Sequence, residues 1–162
     1  MLLWTSVALL VIMILTANEF DGLDTSPERI TLIRQHTSWG LLFLLLMSLR
    51  LFWRFTNENP VLSYNIHNWQ KFSARFLHGL IYVVVITQSL SGLLKLISDG
   101  SGIPFFTLFE IPPLMLQQEV LHEFLKSVHY VLAVVIYPLF AIHISAAIYH
   151  QLFAVVDDPE IK

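Results

Sequence analysis

The chain contains no cysteine among its 162 residues. That removes disulfides, thiolate haem ligands and iron–sulfur clusters held by this chain. Charge is nearly as scarce: 13% of residues are charged, where a soluble domain carries about 25%. The amino-terminal apolar run has no basic region before it and no small-residue cleavage site, so it reads as a retained helix rather than a secretory signal. The net charge is −3 with no basic patch, which gives no footing to nucleic acid as a partner. Hydrophobic residues make up 56% of the chain and the mean hydropathy is +0.67. The expected surroundings are membrane lipids.

The apolar segments predict one all-α domain over residues 1–162, a four-helix transmembrane bundle, with helices over about 2–16, 30–55, 72–97 and 120–150. The first segment falls short of the roughly 20 residues a span usually needs. Ser26-Pro27-Glu28 has the form of a helix start, with proline at the first position. The connection from Thr56 to Gln70 is polar, and a short interfacial helix is expected around Trp69. The segment from Ser98 to Pro113 is rich in Gly and Pro and reads as a structured loop, with aromatic residues for the headgroup level. Arg50, Arg54, Lys71 and Arg75 flank the middle connection, against Arg29, Arg34, Lys95 and Lys126 at the other end. On this count the middle connection and both termini are expected in the cytoplasm.

The histidines carry the chemistry. The last helix holds His122, His129, His143 and His150, spaced 7, 14 and 7 residues apart. Seven residues make nearly two helical turns, so all four project from one face, and His129 and His143 stand about 21 Å apart along the axis. Up-and-down topology puts His36, near the start of helix two, on the side of His129. It puts His78, near the start of helix three, on the side of His143. A single histidine in a span is as readily a polar packer as a ligand. Two levels, each with two imidazoles from different helices, suit two bis-histidine haems better than zinc or iron alone, because no carboxylate accompanies them inside a span. Gly40, one turn after His36, leaves space for a flat macrocycle or for a helix contact. Gly92, 14 residues after His78, falls at the His36/His129 level. Arg50 and Lys126 are each either a partner for a haem propionate or an interfacial anchor. His122 and His67 are expected to be interfacial and solvated, and His150 a helix-end cation or a quinone partner.

These residues together resemble the bacterial cytochrome b561 family and, more remotely, the cytochrome b subunits of formate dehydrogenases and nickel–iron hydrogenases. The similarity lies in His36, Gly40 and Arg50 on helix two, His78, Tyr82 and Gly92 on helix three, the loop from Ser98 to Pro112, and the two histidines 14 apart on helix four. The resemblance implies an inner-membrane, multi-pass protein with haem b bound between helices, passing electrons between a periplasmic redox partner and ubiquinone or menaquinone. It implies that His36 and His129 ligate the periplasmic-side haem, and that His143 and a histidine on helix one ligate the other. Here helix one has Leu3-Trp4 where the family has a His-Trp pair. His78 is the expected replacement, with a five-coordinate haem on His143 or loss of that haem as alternatives, so one or two haems are expected. Some members of the family oxidise superoxide and reduce quinone. The acidic outer segments argue against that substrate here, and quinol-linked oxidoreductase activity stays open beside it. A homodimer, a larger complex, and a non-redox or single-haem anchor subunit are the remaining readings.

Overall fold

A computed structural model gives the architecture and describes residues 2–57 and 68–153. Helices α1 (Leu2–Asp21), α2 (Pro27–Thr56), α3 (Asn68–Ser98) and α4 (Glu119–Phe153) follow one another, with strands β1 (Ile103–Phe105) and β2 (Phe109–Ile111) between α3 and α4. Three segments are long and apolar enough to cross a membrane: Pro27–Thr56, Trp69–Ser98 and Glu119–Tyr149. The apolar part of α1, Trp4–Phe20, is shorter, so of the four expected spans three meet that standard. The outward faces are apolar, with Leu45, Leu49, Phe76, Val83, Val131 and Ile142 exposed. Such a surface is matched to lipid tails rather than to water.

Each helix runs past the end of its apolar pattern. Polar residues end hydrophobicity without ending the backbone hydrogen-bond ladder, and α1 continues through Asn18 and Glu19 until Gly22. Trp69 lies in the first turn of α3 rather than in a separate interfacial helix. The start of α2 follows its sequence signal: Ser26 is the N-cap, its hydroxyl accepts the Arg29 N–H at 3.2 Å, and Pro27 and Glu28 follow. In α4 the helix passes through Pro138 without interruption.

Helix α1 packs on α2, α2 on α3 and α3 on α4. Helices α1 and α2 are antiparallel, as are α3 and α4, as the cross-helix contacts show: Ser6 meets Arg50 while Thr16 meets His36, and Gln88 meets His129 while His78 meets His143. A core of Leu10, Met13, Phe43, Met47, Val84, Val85, Ile136 and Leu139 draws two residues from each helix. In α2, α3 and α4 these residues sit between the positions that meet the two histidine levels, and in α1 Leu10 does so with Met13 at the edge of the first level, so an apolar layer separates those levels.

The loop after α3 is organised as an antiparallel hairpin pairing Ile103 with Ile111 and Phe105 with Phe109. Its anchor is Ser38 of α2, which is fully buried. The Ser38 hydroxyl donates to the Arg34 carbonyl at 2.7 Å, lies 3.3 Å from the Pro104 carbonyl, and accepts the Phe106 N–H at 2.6 Å. Phe106 takes a left-handed φ of 49°, a conformation costing roughly 1–2 kcal/mol for a residue with a side chain. Its ring packs edge-on against Trp39 at 4.8 Å. Arg34 also pairs with Glu110 at 2.8 Å. The hairpin is thereby held against α2, within two residues of His36.

Candidate functional site

Two histidine pairs occupy the two levels. In the first, the rings of His36 and His129 lie 6.4 Å apart, centre to centre, and nearly perpendicular at 85°. His36 is steadied from α1: its Nδ1 is 3.1 Å from the Met13 carbonyl and 3.2 Å from the Thr16 hydroxyl, and Phe20 packs edge-on at 5.5 Å. His129 is steadied from α3, with Nδ1 3.0 Å from the Gln88 carbonyl and 3.1 Å from the Ser91 hydroxyl. A carbonyl only accepts, so Nδ1 carries the proton in both rings. The lone pair is left on Nε2, the tautomer a metal ligand needs, and the carbonyl contact is the outer support that fixes a ligating ring.

Three residues around His129 were not among the expected site residues. Gln88 is buried, its amide N–H donates to His129 Nε2 at 3.2 Å, and its amide oxygen has no partner among the described residues. Ser91 is buried beside it. Lys95, one turn beyond Gly92, lies near enough to act electrostatically on both His36 and His129. Their signal was the presence of polar side chains within an apolar span. Gly92 is at the expected level, and the reason is tight: a Cβ there would stand 2.8 Å from Cε1 of His129. At Gly40 a Cβ would meet only the Met13 methyl at 3.5 Å, an ordinary contact.

At the second level the rings of His78 and His143 lie 5.3 Å apart. Arg50 bears electrostatically on both, and Arg54 on His78. Arg50 also reaches the Ser6 hydroxyl at 3.5 Å, and the Arg54 guanidinium lies over the Tyr82 ring at 5.4 Å. Lys126 is exposed and paired with Glu123 at 3.0 Å, yet close enough to Lys95 to repel it. Lys95 is thus the ammonium group near the first pair, and Lys126 stands in turn near Lys95. His122, expected to be solvated, is instead partly buried. Its Nδ1 is bonded to the Lys95 carbonyl at 3.1 Å, which also accepts the Asp99 N–H and the Ser98 hydroxyl, and lies 3.7 Å from the Asp99 carboxylate. His150 lies in the last turns of α4, its side chain outside what is described, and His67 falls outside the described residues.

Among the described residues no cluster of three or more His, Cys, Asp or Glu side chains is placed to hold a bare metal ion. Two imidazoles complete a metal's coordination only when the other donors arrive with the metal, as they do in a porphyrin. The model of the prokaryotic cytochrome b561 family matches residues 4–156. The chain belongs to the prokaryotic cytochrome b561 family. Among curated proteins there is no match to the chain. As a cytochrome b561 it is a membrane electron-transfer protein that works through haem b, and the donor set agrees. With metal–nitrogen bonds of about 2 Å and about 1.1 Å from nitrogen to ring centre, two imidazoles across one ion have centres about 6.3 Å apart. The 6.4 Å of His36 and His129 fits that value.

Proposed function

We propose that this cytochrome b561 passes electrons between a periplasmic redox partner and the quinone pool, ubiquinone or menaquinone, through a haem b held by His36 and His129. The observation carrying this reading is the 6.4 Å opposition of two rings whose Nδ1 atoms both donate to backbone carbonyls. Bound there, the haem supplies a one-electron carrier. The protein's part is to fix both rings through Nδ1, to cover His36 with Phe20, and to set the Lys95 ammonium nearby. Lys95 and Lys126 are positioned to meet carboxylates such as haem propionates, and Arg50 has that role at the other level.

The contacts of α1 with α2, from Ser6 and Arg50 at one end to Thr16 and His36 at the other, support α1 as a fourth span of an inner-membrane bundle. The arginines and Lys71 around the middle connection support its placement in the cytoplasm with both termini. Superoxide is a poorer donor here than a protein or a quinol, because Glu110, Glu119 and Glu123 are all exposed at the hairpin end and work against steering an anion inward.

A dithionite-reduced minus oxidised spectrum of the purified chain tests the reading. A reduced α-band is expected in the wild type, and the band of this centre is expected to vanish in His36→Ala and in His129→Ala. A wild-type chain with no α-band rejects the electron-carrier function. A band untouched by either substitution rejects the ligand pair.

A further inference from the structure

Between α2 and α3, toward the end where the first leads into the second, lies a groove with a volume of about 540 Å³. Small-molecule sites span about 300–1,000 Å³. Its walls are apolar, with Leu51 and Phe55 from α2 and Val83 and Ile86 from α3. Phe55 and Val83 are exposed, so the groove faces outward from the bundle. Gly79 keeps it open, since a Cβ there would meet nothing within 4 Å. Its one charged lining residue is Arg54. We infer that this groove binds one anionic phospholipid, with the phosphate on the Arg54 guanidinium and an acyl chain along the apolar walls. The site is independent of the histidine pairs and of the function proposed for them.

Three observations select that occupant. The first is how Arg54 is held. Its guanidinium lies over the Tyr82 ring at 5.4 Å, a contact that engages the face of the cation and leaves the N–H donors along its edge. None of the ion pairs among the described residues uses Arg54, and a phosphate offers paired oxygens that match the guanidinium fork. The second is depth. Trp53, beside Arg54, and Trp69, at the start of α3, are both exposed, as tryptophans at the headgroup level are. From there the groove runs inward past Val83 to Ile86, so the head and the tail of a lipid fit its two ends together. The third is charge. Arg50 and Arg54 of α2 and Lys71 and Arg75 of α3 all lie toward this end, and Arg75 stands one turn before Gly79 on the same face. Helix α3 contains no Asp or Glu, and the one acid of α2, Glu28, is in its first turn, at the far end. A second copy of the chain would bring the same cations against this face. A neutral quinone would leave the guanidinium without a counter-charge at the edge of the hydrocarbon. An anionic headgroup supplies one.

The test is native mass spectrometry of the full-length chain in detergent, equilibrated with equal amounts of phosphatidylglycerol and phosphatidylcholine carrying the same acyl chains. The wild type is expected to retain one phosphatidylglycerol per chain in about fivefold excess or more over phosphatidylcholine, the preference that one arginine near a membrane surface confers. Arg54→Gln is expected to bring the two lipids to parity, while Arg54→Lys, which keeps the charge, still prefers phosphatidylglycerol. Gly79→Leu fills the open space and is expected to lower retention of both lipids several-fold with an unchanged thermal midpoint. Should that variant fail to fold, Val83→Trp, at an exposed position on the groove wall, is held to the same criterion. Parity in the wild type overturns the proposal. So does a preference that survives Arg54→Gln, or retention that survives filling of the groove. Displacement of the bound phosphatidylglycerol by an equal amount of ubiquinone assigns the groove to quinone and overturns the lipid.

Discussion

At the His36/His129 level each ring divides its two nitrogens between separate tasks. Nδ1 is committed to a backbone carbonyl, so the ring cannot turn without losing a bond, and Nε2 keeps its lone pair, which at His129 meets the Gln88 amide N–H. Gly92 shows how little slack the arrangement has. Gly92→Ala places a Cβ 2.8 Å from His129 Cε1, against the backbone of a helix that cannot give way, so the ring must move. The expected outcome is at least a several-fold loss of haem occupancy at this level, measured as the ratio of Soret absorbance to protein. Gly40→Ala, whose Cβ makes only ordinary contact with Met13, is expected to fold normally on the same measurement. The pairing of histidines could be read from their heptad spacing because periodicity maps directly onto faces and depth. The supports of those histidines could not. Met13 and Gln88 contribute through carbonyl oxygens, which every residue has, and side-chain identity carries no trace of them. Lys95 was visible as a charge near the end of α3, but its nearness to both rings depends on how α2, α3 and α4 pack.

The hairpin between α3 and α4 is the element whose form the sequence hid most. Strands of three residues are too short for alternation to register, and the stretch shows only its glycines and prolines. Its hold on the bundle depends on one hydroxyl. Ser38→Ala leaves the Phe106 N–H buried without a partner and removes the tie to Arg34 and Pro104, at an expected cost of about 1–3 kcal/mol. Thermal unfolding of the haem-loaded protein measures it, and an unchanged midpoint would show that the hairpin is held by its aromatic contacts instead. The ion pair of Arg34 with Glu110 has side chains 41% and 47% exposed, so Glu110→Gln is expected to cost less than about 1 kcal/mol in the same assay. The helices themselves were legible as elements. Their ends were not, because α1 and α4 keep their hydrogen-bond ladders through residues that no longer look apolar.

For the whole molecule the absence of cysteine is a practical advantage. A single cysteine introduced at the exposed hairpin residue Thr107, or at the exposed Asn57 at the end of α2, gives one reactive thiol without background. The placement proposed above predicts that Thr107→Cys reacts with an impermeant maleimide added to spheroplasts, and that Asn57→Cys reacts only after the membrane is opened. The reverse pattern inverts the orientation, and labelling of both from outside rejects the spanning arrangement.

The apolar layer between the two histidine levels has an electrical consequence. It is formed by Leu10, Met13, Phe43, Met47, Val84, Val85, Ile136 and Leu139, none of which can bind or release a proton, so an electron crossing it does so without a proton moving through the same layer to cancel its charge. The levels stand about 21 Å apart in a hydrocarbon slab of roughly 30 Å, so about two-thirds of the membrane voltage falls between them. Under the proposed function, an electron passed from one level to the other would do, or receive, about 1.6 kcal/mol of work per 100 mV, so the voltage of the membrane would enter directly into the equilibrium between redox centres at the two levels.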